Sequence, residues 1–112
     1  MQGKIQFDSN LKAFHYHHVT GPASLHLYIQ FGASQEAATF SLLPGRHTVN
    51  DLDTSTLLSE VLARVDRANK ENGWLLRVKQ AWCRADDYPS KGQCAYIAYK
   101  LAQEAGKPLP TQ

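Results

Sequence analysis

The stretch that decides the fold is DTSTLLSEVLARVDRANKENG, residues 53–73. Its apolar residues recur at intervals of three and four positions, which places them along one side of an α-helix. They are Leu58, Val61, Leu62, Val65 and Ala68, with Leu57 beside them. A helix of this length takes most of its stability from packing, so another part of the chain must cover its apolar side.

Both ends of this helix carry recognisable signals. Asp53 or Thr54 can accept hydrogen bonds from the free N–H groups of the first turn. Asn72 and Gly73 follow the last turn and tolerate the left-handed backbone that ends many helices. The sequence therefore predicts a helix whose ends are both defined.

Four segments before the helix have the composition of β-strands and are separated by turn residues. They are residues 4–7, 13–19, 24–31 and 38–43. The third segment alternates most regularly, with an apolar residue at every second position from Leu25 to Phe31. Short connections between consecutive strands predict an antiparallel meander of about four strands.

After the helix, apolar residues again recur at every second position, until a second helix begins. Residues 74–83 predict a further strand, with Trp74 and Trp82 on its core side. Residues 84–92 are typical of a loop, and residues 93–105 have helical spacing again. The apolar side of this C-terminal helix contains Cys94, Ile97, Ala98, Leu101 and Ala105.

The resulting order is β-β-β-β-α-β-α, an α+β fold with both helices packed on one face of the sheet. We expect a single domain over residues 1–107 and a frayed C-terminal tail at residues 108–112.

The chain has 112 residues, of which 43% are hydrophobic and 20% charged, with a net charge of +2. That length suffices for a core without cross-links. Cys83 and Cys94 lack a metal or redox spacing, so we expect reduced, partly buried thiols.

The sequence also indicates where in the cell the protein is found. No apolar run approaches the roughly 20 residues that a membrane span needs. The N-terminal sequence MQGKIQF lacks the apolar core of a signal peptide. We therefore expect a cytoplasmic protein without membrane association, and no motif calls for a cofactor.

Three histidines form the most unusual local feature. A tight turn after residue 19 pairs His17 with His26 and His15 with Tyr28, on the side of the sheet away from the apolar residues. Such a cluster can bind a zinc-class metal or an anion, or act as acid and base. We favour a plain polar or partner-binding face, because no thiol or carboxylate stands near in sequence to complete a ligand set. Each imidazole should then titrate near a pKa of about 6.5, lowered by its like-charged neighbours.

A second candidate surface is the basic region between residues 64 and 84. Its members are Arg64, Arg67, Lys70, Arg77, Lys79 and Arg84. These side chains could contact the phosphates of a nucleic acid, with nearby tryptophans stacking on bases. Asp66 and Glu71 interrupt the region, so a solvated charged side is the simpler interpretation.

The C-terminal helix offers a third surface. Tyr96, Tyr99 and Lys100 lie off its apolar side, and tyrosine is common in interfaces, so we predict that they contact a protein partner. An open sheet also has edges that need protection, and the aromatic segment at residues 13–19 has little charge beside it. We expect a two-fold homodimer through a sheet edge or through this helix.

No stretch carries a catalytic signature, so we expect a small, non-enzymatic, protein-binding accessory or inhibitory factor. By analogy of class and size, such factors are often encoded by phages or other mobile elements and act on nucleic-acid-handling complexes. Two alternatives stay open. One is direct RNA or DNA binding through residues 64–84, and the other is a histidine-based hydrolase or metal-binding protein.

Overall fold

The computed structural model describes residues 4–20, 23–32, 37–44, 48–86, 88–89 and 92–106. Its elements are β1 (Lys4–Asp8), β2 (Ala13–Thr20), β3 (Ala23–Phe31), β4 (Thr39–Leu42), α1 (Thr54–Asn72), β5 (Val78–Ala85) and α2 (Gln93–Gly106). The predicted order of strands and helices is confirmed. The predicted tail at residues 108–112 lies outside the described residues.

The strands form one five-stranded sheet in the order β1-β2-β3-β5-β4. β1, β2 and β3 pair antiparallel as a meander, as their short connections predict. The fourth strand differs in position, because β5 lies between β3 and β4 and pairs parallel with β4. α1 connects β4 to β5, and a helix is the usual connection between parallel neighbours.

Both helices pack on the same face of the sheet, as predicted. α1 contacts β4 and β5, α2 contacts β2 and β3, and the two helices contact each other. Their buried residues join those of the strands in one apolar cluster. Leu27, Ile29, Val61 and Leu101 are fully buried within it. The other face of the sheet has no described helix against it.

α1 begins and ends where its sequence predicts. The Asp53 carboxylate accepts hydrogen bonds from the backbone N–H groups of Ser55 and Thr56 at 3.1 and 3.2 Å, which makes Asp53 the N-cap. Gly73 ends the helix with a left-handed φ of 70°. The buried side contains Leu57, Val61, Val65 and Ala68. Leu62, predicted on that side, is exposed at its margin.

The segment after α1 is held by the helix, so β5 begins later than predicted. The Asn69 side chain donates to the Leu76 carbonyl at 2.9 Å and accepts from the Leu76 N–H at 3.0 Å. These bonds satisfy both backbone groups of Leu76, and the strand starts only at Val78. Trp74, predicted on the core side of a strand, instead places its ring against Gly106 at the end of α2.

A bulge in β5 reverses the faces of the residues beyond it. The register against β3 shifts between Val78 and Gln80, which leaves Lys79 as an extra residue. Because of this residue, Val78 and Ala81 both pack toward the core. Trp82 therefore lies on the opposite face, and its predicted place on the core side is wrong.

The two cysteines are part of the core. Cys83 and Cys94 are both free and buried, as expected, although burial is complete rather than partial. Burial raises the pKa of Cys83 to about 11 and that of Cys94 to about 12. Both groups are therefore neutral thiols at physiological pH and act as small apolar side chains.

Replacing Val61 with aspartate tests the packing of α1. Val61 is 0% exposed, so the new carboxylate would be desolvated without a partner. We expect the free energy of unfolding to fall by an amount on the order of 3 kcal/mol. Urea denaturation followed by circular dichroism measures it. The matched control is Ala63→Asp on the exposed side of α1, which should cost less than about 1 kcal/mol. An unchanged midpoint for Val61→Asp would contradict this packing.

Candidate functional site

The candidate site is the face of the sheet away from the helices, which we call the open face. Side chains along a strand point alternately to the two faces, so every second residue of the central strands reaches it. Cross-strand pairing arranges six of these residues in two rows across β2, β3 and β5. One row is His15, Tyr28 and Trp82, and the other is His17, His26 and Arg84.

Four rings on β2 and β3 form a single layer on the open face. Tyr28 stacks on His15 with ring centroids 4.1 Å apart, and His17 stacks on His26 with centroids 3.9 Å apart. The predicted pairing of His15 with Tyr28 and of His17 with His26 is confirmed. Tyr28 is buried and the three histidines are half-buried. The layer is therefore packed, with each ring covered by a neighbour.

A hydrogen bond joins the two stacks. His15 Nε2 lies 2.8 Å from His26 Nδ1. The two rings are nearly parallel, with an interplanar angle of 13° and centroids 5.1 Å apart, which fits two rings lying side by side. One nitrogen must donate the proton and the other must accept it. The pair therefore shares one proton in this bond, and protonation of both nitrogens would break it.

The surroundings of this pair keep it uncharged. Burial is the main reason that the pKa of His26 is lowered to about 4, and the positive charges of His17 and Arg84 add to the effect. The pKa of His15 is also lowered, again mainly by burial. The sequence predicted lowering by like-charged neighbours, which contributes, but desolvation is the larger cause. At neutral pH the pair is a neutral hydrogen-bonding group.

The ring layer differs from a metal centre in its geometry. Among the described residues, no group of three or more His, Cys, Asp or Glu side chains is placed to hold a metal ion. The hydrogen bond between His15 and His26 already uses one nitrogen of each ring. His17 Nε2 is buried and has no hydrogen-bond partner within the described ranges.

Trp82 and Arg84 extend the open face across β5, a position that their sequence pattern did not predict. Trp82 pairs with Tyr28 in the sheet, and Arg84 pairs with His26. Both side chains are half-buried. The bulge at Lys79 turns Trp82 away from the core, and β5 continues beyond the predicted strand end, so Arg84 lies in the sheet and not in a loop.

The six basic residues predicted as a nucleic-acid surface are divided among different parts of the fold. Arg64, Arg67 and Lys70 lie on α1, Arg77 precedes β5, and Lys79 and Arg84 lie in β5. Arg67 and Lys70 form ion pairs with acidic side chains one turn away, at 3.6 and 3.0 Å. Arg84 is on the open face, with the sheet between it and α1. The structure does not bring these charges together.

The predicted partner surface on α2 is divided as well. Tyr96 is 52% exposed, and the Lys100 ammonium lies 5.3 Å from its ring centroid. Tyr99 packs against the core cluster, and its hydroxyl donates to the Glu71 carboxylate of α1. Tyr99 therefore holds the two helices together. Of the three residues, Tyr96 and Lys100 remain on the surface.

Comparison with known proteins gives no family assignment. No protein-family model, no curated protein and no solved structure matches this chain. Within the described ranges, neither helix has the length and apolar character needed to cross a membrane. Function is therefore inferred from the geometry of the open face.

Acid should weaken the fold through His26. Its pKa is about 4 in the folded protein, against an ordinary histidine pKa of 6.5, so the folded state binds this proton less readily than the unfolded state. The stability linked to His26 is complete above a pH of about 6.5 and is lost as the pH falls toward 4. His26→Gln should flatten this part of the profile by about 1–2 kcal/mol, after allowance for solvent screening. Urea midpoints measured from neutral pH to about pH 4 test it. Parallel profiles for the two proteins would contradict the environment described for His26.

Zinc titration separates the ring layer from a metal site. We expect the ring protons of His15, His17 and His26 to keep their NMR shifts when zinc is added at neutral pH, because the bond between His15 and His26 already uses one nitrogen of each ring. A joint shift of all three, complete at one zinc per chain and reversed by acid, would show a metal site instead.

Proposed function

We propose that this protein is a non-enzymatic, protein-binding accessory or inhibitory factor whose docking surface is the open face. The composition of the two central rows supports this proposal. Tyr28, Trp82 and Arg84 lie beside three histidines on adjacent strands. Tryptophan, tyrosine and arginine are the residues that contribute most at protein interfaces. One permanently charged side chain among six also matches the low charge at an interface core.

The order already present on the open face favours binding. The rings are stacked on one another, and the side chains stand on the central strands of the sheet. A surface that is ordered before binding loses little side-chain entropy when a partner docks. A small protein with such a surface acts by occupying a region of its partner, which is how accessory and inhibitory factors work.

Arg84 has no ion pair with any other described residue, and its charge indicates the chemistry of the partner. Both ion pairs found among the described residues lie on α1, and neither involves Arg84. A half-buried guanidinium gains most from a carboxylate that it can bind through two hydrogen bonds. We expect the partner to present a carboxylate to Arg84 and an apolar surface to Trp82.

The histidines favour binding over acid–base catalysis. A general base works best when its pKa is close to the working pH, whereas the pKa of His26 is about 4. His15 and His26 also direct one nitrogen each at the other ring. The cysteine thiols, which could serve as nucleophiles, are buried in the core on the other side of the sheet.

Single-stranded nucleic acid is the second candidate ligand. Trp82 and Arg84 lie two residues apart on one strand face, which suits a stacked base and an adjacent phosphate. The four stacked rings favour it less, because their faces already cover one another. The other five basic residues of the 64–84 region lie outside the two rows, so they give no continuous path for a phosphate backbone.

Affinity capture from the native host tests the docking surface. The open-face variant combines Trp82→Ala with Arg84→Ala, and the matched control combines Tyr96→Ala with Lys100→Ala on α2. We expect one protein to bind both the wild type and the control, and calorimetry with that purified partner to show at least about tenfold weaker binding by the open-face variant. All three proteins must first show the same unfolding midpoint.

Two other results are informative. Equal binding by the open-face variant would contradict the proposal. Loss of binding in the control alone would contradict it as well and would place the docking surface on α2. Binding of a labelled single-stranded RNA that weakens with salt and is lost in the open-face variant would favour the second candidate.

A further inference from the structure

No described strand pairs with the outer edge of β1. Among the described strands, β1 pairs with β2 alone and lies at the end of the sheet, so its other side has unpaired backbone N–H and C=O groups. Gln6 and Phe7, in the middle of the strand, are exposed, and Phe7 has 58% of its surface accessible. Proline residues, bulges and charged residues commonly protect such edges; β1 contains neither proline nor a bulge, and its two charged residues stand at its ends.

The sequence of β1 is complementary to itself. When KIQFD is set antiparallel to a second copy and centred on Gln6, position 4 meets position 8 and position 5 meets position 7. A lysine position then faces an aspartate at each end, and isoleucine faces phenylalanine on each side of the centre. Opposite charges and aromatic residues paired with β-branched residues are both stabilising combinations between strands.

We propose that two copies of this chain form a homodimer by antiparallel pairing of β1 with β1 around Gln6. The pairing satisfies the free backbone groups of both edges and closes under two-fold symmetry. It joins two five-stranded sheets into one continuous sheet. The two-fold axis is perpendicular to that sheet, so both open faces lie on one side and all the helices lie on the other.

Phe7 provides the apolar contact at this interface. Its ring meets Phe14 edge-on with centroids 5.3 Å apart, and Phe14 in turn meets Phe31 at 6.1 Å. This row of phenylalanines runs from the core to the edge of the sheet, where Phe7 stays exposed. In the dimer, the partner's Ile5 would cover it.

The other predicted contacts fit a second copy less well. The aromatic segment at residues 13–19, predicted as the exposed edge, belongs to β2, which lies inside the sheet between β1 and β3. β4 is the opposite edge, but its four residues, TFSL, contain no charges to set a register. The expected homodimer is therefore assigned to β1 rather than to β2.

Dimerisation is independent of what the open face binds, but it changes how that face is presented. Two open faces on one side of a continuous sheet form a doubled surface. A partner that repeats its binding site, or that is itself two-fold symmetric, would gain affinity by contacting both copies.

A cysteine placed on the proposed two-fold axis tests the register. In Gln6→Cys, residue 6 of one copy faces residue 6 of the other. Antiparallel pairing gives a Cα separation of about 4.5–5.5 Å, within the range for a disulfide. The native cysteines are buried and should not react. We expect a rapid, near-complete covalent dimer under mild oxidation. The control Thr39→Cys, an exposed position on β4, should stay monomeric on denaturing gels. Equal cross-linking of both variants, or none at position 6, would overturn the proposal.

Sedimentation velocity tests the association without a cross-link. At tens of micromolar we expect the wild type to have the mass of two chains. Phe7→Lys removes the apolar contact and adds charge to the edge, so its dissociation constant should rise at least about tenfold. The control Leu75→Lys also replaces an apolar residue with lysine, but far from β1 in the sequence and at a side chain that is 93% exposed. This variant should remain dimeric. A monomeric wild type, or equal loss in both variants, would refute pairing through β1.

Discussion

The register of β2 against β3 is the constraint on which the rest of the structure depends. It places Tyr16 opposite Leu27 in the core and His15 opposite Tyr28 on the open face. A shift of one residue would exchange the two faces, exposing the apolar residues of β3 and burying imidazoles that have no partners there. The same alternation that builds the core therefore builds the ring layer, and neither can change without the other.

β5 lies next to this pair of strands and contacts α1. Its core side carries small residues, Ala81, Cys83 and Ala85, all of them buried. The large side chains of Trp82 and Arg84 lie on the open face instead. Small residues let α1 and α2 approach the sheet closely, and a tryptophan at one of these positions would not fit at native packing density. The bulge at Lys79 therefore decides the thickness of the core as well as the composition of the open face.

Local patterns were sufficient for the features that depend on neighbouring residues. The cap at Asp53, the end at Gly73 and the pairing of His15 with Tyr28 all follow from spacing or from a tight turn. The features that were predicted wrongly depend on distant contacts. The Asn69 side chain holds Leu76 against the helix, β5 inserts between β3 and β4, and a bulge of one residue turns Trp82 outward. The alternation of apolar and polar residues along a strand does not indicate which strand it pairs with or where a bulge lies.

The position of Trp82 is the most direct test, because the proposed docking surface requires its side chain to lie beside Tyr28. Proton–proton NOEs in the free protein report which side chains surround the indole ring. We expect NOEs from the Trp82 ring to the Tyr28 ring, and none to the methyl groups of Ile97 and Leu101 in the core. NOEs from Trp82 to those methyl groups would place the ring between sheet and helices, and would contradict both the bulge and the open face.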